Sequence, residues 1–256
     1  MAFQYVTVDE AVPCDGLRMV VVGGVPSPWG EAAKGILHIK RIDWVAVRLA
    51  HDSEALLKWA GQRSGPVVML NQEPPRSGWA EILLLAERLA PNPALLPKDP
   101  AERALAFGLA HEILGEEGLA WTRRLQLVHA ALIGGRGFSE PIAKYLAKKY
   151  GYRAQASETF GSRVIELLQM LAVRLQAQRA RGSRYYLGDS LSAADVYSAT
   201  CMALFRPLPP EQCPMDGNTR QIFETLDAPT AAALDPILLE HRDMMYAHHL
   251  ELPLSL

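Results

Sequence analysis

Ser27 and Pro28 stand side by side where the chain passes from one kind of regular structure to another. The apolar run before them, Leu17 to Val22, has the length of a strand buried on both faces. The stretch after them, Glu31 to Lys40, places its apolar residues on one helical face. Because Pro28 suits the first helical position, Ser27 is either the cap of this helix or a hydroxyl that binds an anion at the positive helix end.

The elements that position this serine alternate in type up to residue 90. Gly61 ends one short helix, and Pro66 can begin a strand but cannot continue one. Polar residues and two prolines predict a turn over Asn71 to Ser77. The predicted strands and helices, in order, are Leu17 to Val22, Glu31 to Lys40, Trp44 to Leu49, Ser53 to Ala60, Pro66 to Leu70 and Trp79 to Leu89.

A segment with four prolines, Pro91 to Pro100, separates this region from one that is helical throughout. We therefore predict an N-terminal extension at 1–16, an α/β domain at 17–90, a linker at 91–100 and an all-helical domain at 101–256. The predicted helices are Ala101 to Ile133 with a weak point at Gly115 and Gly118, Glu140 to Tyr150, Ala154 to Arg181, Ser192 to Phe205, and a final pair between Asn218 and Leu250.

Composition excludes several classes of partner. The formal net charge is −2 without a basic stripe, so we expect no nucleic-acid partner. Cys14, Cys201 and Cys213 are too few and too scattered for a disulfide framework, which favours a reducing compartment. The sequence has no signal-peptide pattern and no apolar run long enough to span a bilayer. We therefore expect a cytoplasmic protein without a membrane partner.

Two stretches resemble the glutathione transferase superfamily: SPWGEAAKGILHIKRIDW, Ser27 to Trp44, and YLGDSLSAADVY, Tyr186 to Tyr197. The order of elements and the proline that opens the third strand also resemble this family. The resemblance covers about residues 17 to 250 and leaves out 134–153. It implies an α/β + all-α architecture, in which a thioredoxin-like N-terminal domain precedes a helical-bundle C-terminal domain.

The second of these stretches also has a direct physical interpretation. Ser192 is a candidate N-cap, and Asp195, three residues later, can accept a hydrogen bond from the Ser192 backbone in a capping box. This arrangement stabilises a buried helix start and indicates fold rather than function.

The resemblance implies that Ser27 donates its hydroxyl to the thiolate of glutathione, with Pro28 and Trp29 beside it in the glutathione site. A helix N-terminus lowers the pKa of a thiol, which suits this role. The alternative is that Ser27 only caps the helix. Because no cysteine lies near Ser27, thiol–disulfide exchange is disfavoured.

Pro66 resembles the cis-proline of the thioredoxin fold. The residue before it, Gly65 here, would pair through its backbone with the cysteinyl part of glutathione. The family more often has a β-branched residue at this place, and glycine removes stiffness from the loop. The alternative is an ordinary trans proline that begins a strand.

The family usually has Glu-Ser at the start of the third helix, where the helix N-terminus holds the γ-glutamyl carboxylate. One alignment puts Ser77 and Gly78 there, and a one-residue shift puts Arg76 and Ser77 there, so the acidic residue is missing in both. Ser77 is the candidate ligand, with Arg76 as a charged contact. Alternatively, Ser77 is a helix cap and Arg76 a solvated turn residue.

The second substrate would be a small hydrophobic electrophile held against the long helix of the second domain. His111, Trp121 and Arg124 are candidates for lining its pocket, although such residues also form solvated faces or satisfied polar groups in a core. The glycine-rich loop Gly134 to Pro141 could cover this pocket as a lid.

Neither a metal nor a nucleotide is predicted. His111-Glu112 lacks the second histidine of a zinc motif, His241, His248 and His249 have no suitable companions, and GGVPSPWG matches no phosphate-binding loop. The sequence thus predicts a glutathione transferase with glutathione as co-substrate, and the resemblance implies a homodimer. The alternatives are a glutathione-dependent isomerase and a non-catalytic binding protein that retains the fold.

Overall fold

The computed structural model of the protein describes residues 4–256, so the first three residues of the predicted N-terminal extension lie outside it. Its three strands are β1 (Leu17–Val21), β2 (Val45–Arg48) and β3 (Val67–Leu70). They form one sheet in the order β2-β1-β3, with β2 parallel and β3 antiparallel to β1. All five residues of β1 are buried, Arg18 among them, as is expected for the central strand of a sheet.

Helices surround this sheet and build the rest of the molecule. The helices are α1 (Val8–Ala11), α2 (Pro28–Ile39), α3 (Glu54–Ala60), α4 (Trp79–Leu89), α5 (Pro100–Leu114), α6 (Leu119–Gly134), α7 (Glu140–Lys149), α8 (Ser157–Ala180), α9 (Ala193–Cys201), α10 (Gly217–Glu224), α11 (Ala228–Ala233) and α12 (Pro236–His248). Short 3₁₀ turns precede α8 at Ala154–Ala156 and follow α9 at Met202–Leu204. Among residues 4–256, none of the helices combines the length and the apolar character needed to span a bilayer.

The prediction of a final pair of helices is wrong, because three helices occupy that region. Asp216, Asp227 and Asp235 each accept a backbone hydrogen bond at the start of a helix. A proline also stands in the first turn of α11 and of α12, where it favours a new helix start. The aspartates therefore divide the stretch into α10, α11 and α12.

The N-terminal segment packs against the free edge of the sheet. Val6 forms a parallel bridge with Val47 of β2, and Val8 and Ala11 of α1 are buried in a small apolar cluster with Val47 and Leu56. The segment thus covers strand groups that would otherwise remain unpaired at this edge.

A continuous hydrophobic core joins the α/β part to the helical part. It contains residues of β1, α2 and α4 together with residues of α5, α8, α9 and α12. Within the proline-rich segment 91–100, Leu95 and Leu96 are buried, and the Leu95 carbonyl accepts the Ala193 N–H at 2.8 Å. This segment is thus packed against the start of α9.

The buried carboxylate of Asp195 holds the start of α9. It accepts the Ser192 N–H at 2.8 Å, as the predicted capping box requires, and it also accepts the Tyr186 N–H at 2.8 Å. His241 of α12 lies 3.0 Å from the same carboxylate through Nε2. Asp195 therefore connects the start of α9 to α12 and serves the fold, as its place in the sequence predicts.

Candidate functional site

The topology brings two of the predicted site segments to one end of the sheet, where β1 ends and β3 begins. Because β3 is antiparallel to β1, with Val20 opposite Val67, the end of β1 lies beside the start of β3. Ser27 follows β1 through a short loop, and Gly65 and Pro66 immediately precede β3. The strand β2, which is parallel to β1, also ends at this end of the sheet. The serine and the Gly65–Pro66 bond therefore share one end of the sheet.

Ser27 is the N-cap of α2, with extended backbone angles of φ −70° and ψ 121°. Its carbonyl accepts the Glu31 N–H at 2.8 Å, but its side chain accepts no capping hydrogen bond. Ser53 behaves differently at the start of α3, where its Oγ accepts the Leu56 N–H at 3.0 Å. The Ser27 hydroxyl is therefore not used to cap its helix, and it lies at the positive end of the helix dipole.

Gly65 lies against the backbone of the central strand. The Gly65–Pro66 peptide bond is cis, the geometry that the resemblance implies. A Cβ placed on Gly65 would lie 3.1 Å from the Val20 carbonyl oxygen and 3.5 Å from the Val22 nitrogen. A β-branched residue here would therefore crowd the backbone of the central strand.

Ser77 and Gly78 lie at the same end of the sheet, near the start of β3. Arg76 pairs antiparallel with Val68, and the two N–H···O bonds measure 2.8 and 2.9 Å. The chain then enters α4, whose Glu81 side chain turns back: Oε2 accepts the N–H of Gly78 at 3.0 Å and that of Ser77 at 3.2 Å. An internal carboxylate thus occupies the backbone donors that the resemblance implies for a ligand carboxylate.

The Arg76 side chain is engaged in a surface ion-pair cluster. Its guanidinium lies 2.6 Å from the Glu73 carboxylate, which also lies 2.6 Å from the Arg88 guanidinium. Hydrogen bonds from the two arginines lower the pKa of Glu73, so this carboxylate stays ionised. Ser77 is exposed. Of the two predicted ligands at this position, Ser77 is thus the accessible one.

Trp29, two residues after Ser27, joins α2 to the helical part. Its indole Nε1 donates to the Leu114 carbonyl at 2.8 Å. Its ring centroid lies 6.4 Å from that of Trp121 in α6 and 5.6 Å from that of Tyr150 at the end of α7, and Trp121 and Tyr150 are 4.7 Å apart. The structure therefore places Trp121 next to the helix that begins at Ser27.

Arg124, one helical turn after Trp121, is 7% exposed. Its guanidinium carbon lies 5.7 Å from the centroid of the Phe138 ring and 5.2 Å from that of Phe223. Burial lowers the pKa of Arg124, and interaction with Tyr150 opposes this change. Arg124 thus belongs to the same cluster as Trp121.

His111 occupies a different place. It is exposed near the end of α5, with its ring centroid 6.5 Å from that of Trp79 at the start of α4. Within residues 4–256 no ring contact joins His111 to Trp121. The structure therefore groups Trp121 and Arg124 but places His111 beside the start of α4.

Helix α7 contributes residues that the sequence did not single out. The Tyr145 ring centroid lies 5.0 Å from that of His51, in the loop after β2, and Lys149 Nζ lies 5.6 Å from the Tyr150 ring centroid. Burial lowers the pKa of Lys149 to about 8, and the positive charge of Arg124 contributes to this decrease. Tyr145, Lys149 and Tyr150 belong to the region 134–153, which the resemblance leaves out. The basic last turn of α7 was the available signal.

Metal ligands do not assemble in the part of the chain that the structure describes: no group of three or more His, Cys, Asp or Glu side chains could hold an ion there. His248 and His249 have ring centroids 6.3 Å apart, and His249 Nε2 lies 3.1 Å from the Tyr185 hydroxyl. His241 is engaged by Asp195.

The sequence matches no protein-family model and no curated protein. Solved structures do match. One is a glutathione transferase family member from Pseudomonas fluorescens Pf-5 with two glutathione molecules bound, at 14% identity and a TM-score of 0.64 over 94% of each chain. Another is a glutathione S-transferase from Methylobacterium radiotolerans in complex with glutathione sulfonate, at 18% identity and a TM-score of 0.60 over 91% of each chain.

A third similar structure is a maleylacetoacetate isomerase from Methylobacterium extorquens AM1 with malonate and glutathione bound. The identity is 20% and the TM-score 0.56, over 93% of this chain and 97% of that one. At these identities the likeness establishes the fold. The chain has the glutathione transferase fold, a thioredoxin-like domain followed by a helical domain, as the sequence predicts.

Proposed function

We propose that the protein is a glutathione transferase that stabilises the glutathione thiolate at Ser27 for attack on a small electrophile. The observation that carries this proposal is the Ser27 side chain, which starts α2 without capping it. A hydroxyl donor at the positive end of a helix lowers the pKa of a bound thiol. The likeness to structures that hold glutathione supports the same ligand.

In this mechanism Ser27 is a hydrogen-bond donor and never becomes covalently attached. The thiol proton of glutathione leaves to solvent, and the Ser27 Oγ–H orients the remaining thiolate toward the electrophilic carbon. A carbon–sulfur bond forms. In a substitution, the leaving group departs with its electron pair; in an addition, the pair moves to the neighbouring carbon, which takes a proton from water.

The remainder of glutathione would lie at the same end of the sheet as Ser27. The Gly65 backbone next to Pro66 is suited to pair with the cysteinyl part, and Pro28 and Trp29 flank the thiol. Ser77 would hold the γ-glutamyl carboxylate at the start of α4. For this to happen, the Glu81 side chain must leave the Ser77 and Gly78 N–H groups. Since Glu81 is exposed, it can turn into solvent.

We further propose a cytoplasmic homodimer. Leu84 of α4 and Leu105 of α5 are 43% and 40% exposed. Burial of such side chains between two copies would be favourable. Light scattering gives the mass directly, and a monomer at tens of micromolar would contradict this part of the proposal.

Glu81 also favours a second candidate, a non-catalytic protein that keeps the fold and no longer binds glutathione tightly. Calorimetry separates the two candidates: glutathione at millimolar concentration should release or absorb heat and raise the melting temperature. The absence of both signals would rule out the enzyme. If glutathione binds, Ser27→Ala should lower turnover with little loss of affinity, whereas an unchanged rate would remove Ser27 from the mechanism. An isomerase would use the same thiolate without consuming glutathione.

A further inference from the structure

Two neighbouring buried arginines of α6 differ in how their charge is satisfied. Arg123 donates to the carbonyl groups of Leu204, Phe223 and Thr225 and to the Gln126 side chain. Its hydrogen bonds are those of a structural arginine.

Arg124 is less well satisfied: the Tyr150 hydroxyl forms a side-chain hydrogen bond with it. Its Nε is buried without a hydrogen-bond partner, and no carboxylate within residues 4–256 forms an ion pair with its guanidinium. The ionisable groups that raise the pKa of Arg124 are Tyr150 and Cys201, and burial raises the pKa of both, so both are neutral near pH 7. A buried cation without a counter-charge is unfavourable unless an anion arrives to pair with it.

Lys149 adds a second positive charge on the solvent side. It is half-buried at the end of α7, beside the Tyr150 ring, and the charge of Arg124 acts on it. His51 and Tyr145, both exposed, lie at the outer end of this cluster. The positive charges of buried Arg124 and half-buried Lys149 repel each other, and an anion bound between them would remove that repulsion.

The cluster lies next to the proposed thiol site. The Tyr150 ring is in contact with Trp29, which lies two residues after Ser27. We propose that Arg124 and Lys149 bind a carboxylate group of the electrophile, so that the second substrate is an anionic rather than a purely apolar molecule. This inference rests on the proposed function for its reaction, although the binding of the anion can be measured without glutathione.

A suitable probe is 4-chloro-3-nitrobenzoate, with the neutral 4-chloro-3-nitrobenzamide as its matched partner. In turnover, the thiolate sulfur bonds to the ring carbon that carries chlorine, the carbon–chlorine bond breaks and chloride leaves with the electron pair. The thiol proton goes to solvent, and the carboxylate is unchanged. The two probes differ in the group that the cations would bind.

The first experiment is calorimetry without glutathione. The native protein should bind the benzoate at least about 10-fold more tightly than the amide, since a hydrogen bond to a charged group carries that much affinity. Arg124→Gln and Lys149→Gln should each remove most of this preference. Lys148→Gln makes the same charge change at an exposed neighbouring position and should keep it. Equal binding of both probes by the native protein, or an equal loss in Lys148→Gln, would overturn the proposal.

The second experiment measures kcat/KM for both probes with glutathione. The same variants should lower the benzoate-to-amide ratio about 10-fold while leaving the Kd of glutathione within twofold. If they weaken glutathione instead, the cations hold a carboxylate of glutathione and the inference is wrong. If glutathione does not bind at all, the proposed function fails while the calorimetric result still stands. Should Arg124→Gln not fold, Lys149→Gln decides both experiments.

Discussion

The Glu81 carboxylate accepts the backbone N–H of Gly78 at 3.0 Å, and the Ser77 N–H lies 3.2 Å from the same oxygen. A side chain of the protein thereby fills the start of α4, where a carboxylate of glutathione would lie. A ligand that uses these donors must compete with an internal anion and is repelled by its charge.

Replacing Glu81 by alanine should strengthen the binding of glutathione by about 3- to 10-fold, because the change frees two N–H donors and removes a negative charge. It should also lower the free energy of unfolding by about 1 kcal/mol, since the helix loses part of its cap. Calorimetry and thermal unfolding measure the two effects. Glu102→Ala, at the third position of α5, is the matched control and should leave glutathione binding unchanged. Unchanged or weaker binding in Glu81→Ala would show that glutathione does not use these donors.

The Ser27 and Ser53 hydroxyls should differ in their importance for stability. Ser53→Ala removes a capping hydrogen bond and should lower the free energy of unfolding by about 1 kcal/mol. Ser27→Ala removes no such bond and should lower it by less than about 0.5 kcal/mol. Chemical denaturation of both variants measures this difference. An equal loss in the two would mean that the Ser27 hydroxyl caps α2 and is not free for a thiolate.

Glu31 and Lys34 form a buried ion pair within α2, the helix that begins at Ser27. Lys34 Nζ lies 2.8 Å from the Glu31 carboxylate and donates to the Ser255 carbonyl at 2.7 Å, while both charged residues are almost fully buried. Lys34→Met leaves the Glu31 charge unpaired and should lower the free energy of unfolding by about 3 kcal/mol. A double variant with Glu31→Leu should recover most of this loss.

The loss in Lys34→Met should also depend on pH. Burial raises the pKa of Glu31 and Lys34 opposes this rise, so removing Lys34 should raise it further. When the pKa of a carboxyl group is higher in the folded than in the unfolded state, the protein becomes more stable as the pH falls through the folded pKa. The variant should therefore regain stability relative to the native protein between pH 7 and pH 5 in thermal unfolding. A deficit that stays constant over this range would contradict the assignment.

The affinity for 4-chloro-3-nitrobenzoate should fall as the pH rises from 7 to 9. The pKa of Lys149 is about 8, so this residue loses its charge in that range. Burial lowers the pKa of His51 and raises those of Tyr145 and Tyr150, so these neighbours stay neutral. The guanidinium of an arginine keeps its charge over this range. We expect a decrease of about 10-fold, absent in Lys149→Gln. A flat profile for the native protein would exclude Lys149 from anion binding.

Local patterns were sufficient to predict the elements of the α/β part, because each apolar run there is bounded by a glycine, a proline or a cap. The same rules apply to Asp227 and Asp235, but helical composition over Asn218 to Leu250 obscured the breaks that these caps create. The spacing of Gly78 and Glu81 is that of a capping box, so this contact could have been found in the sequence.

The cluster of Arg124, Lys149 and Tyr150 could not be found in this way. The sequence named Arg124 as a candidate for lining the second-substrate pocket. That it is buried without a carboxylate partner follows from the packing of α6 against Phe138 and Phe223. Tyr150, which hydrogen-bonds to Arg124, and Lys149, which lies over the Tyr150 ring, come from the end of the next helix, α7. Periodicity within single helices carries no information on such contacts.

The most direct test of the central claim is the pKa of the glutathione thiol in the complex, obtained from the ultraviolet absorbance of the thiolate as a function of pH. We expect a pKa at least about one unit below the ordinary value of about 8.5 for a free thiol, and a return toward that value in Ser27→Ala. A bound thiol that titrates like free glutathione in the native protein would contradict the central claim.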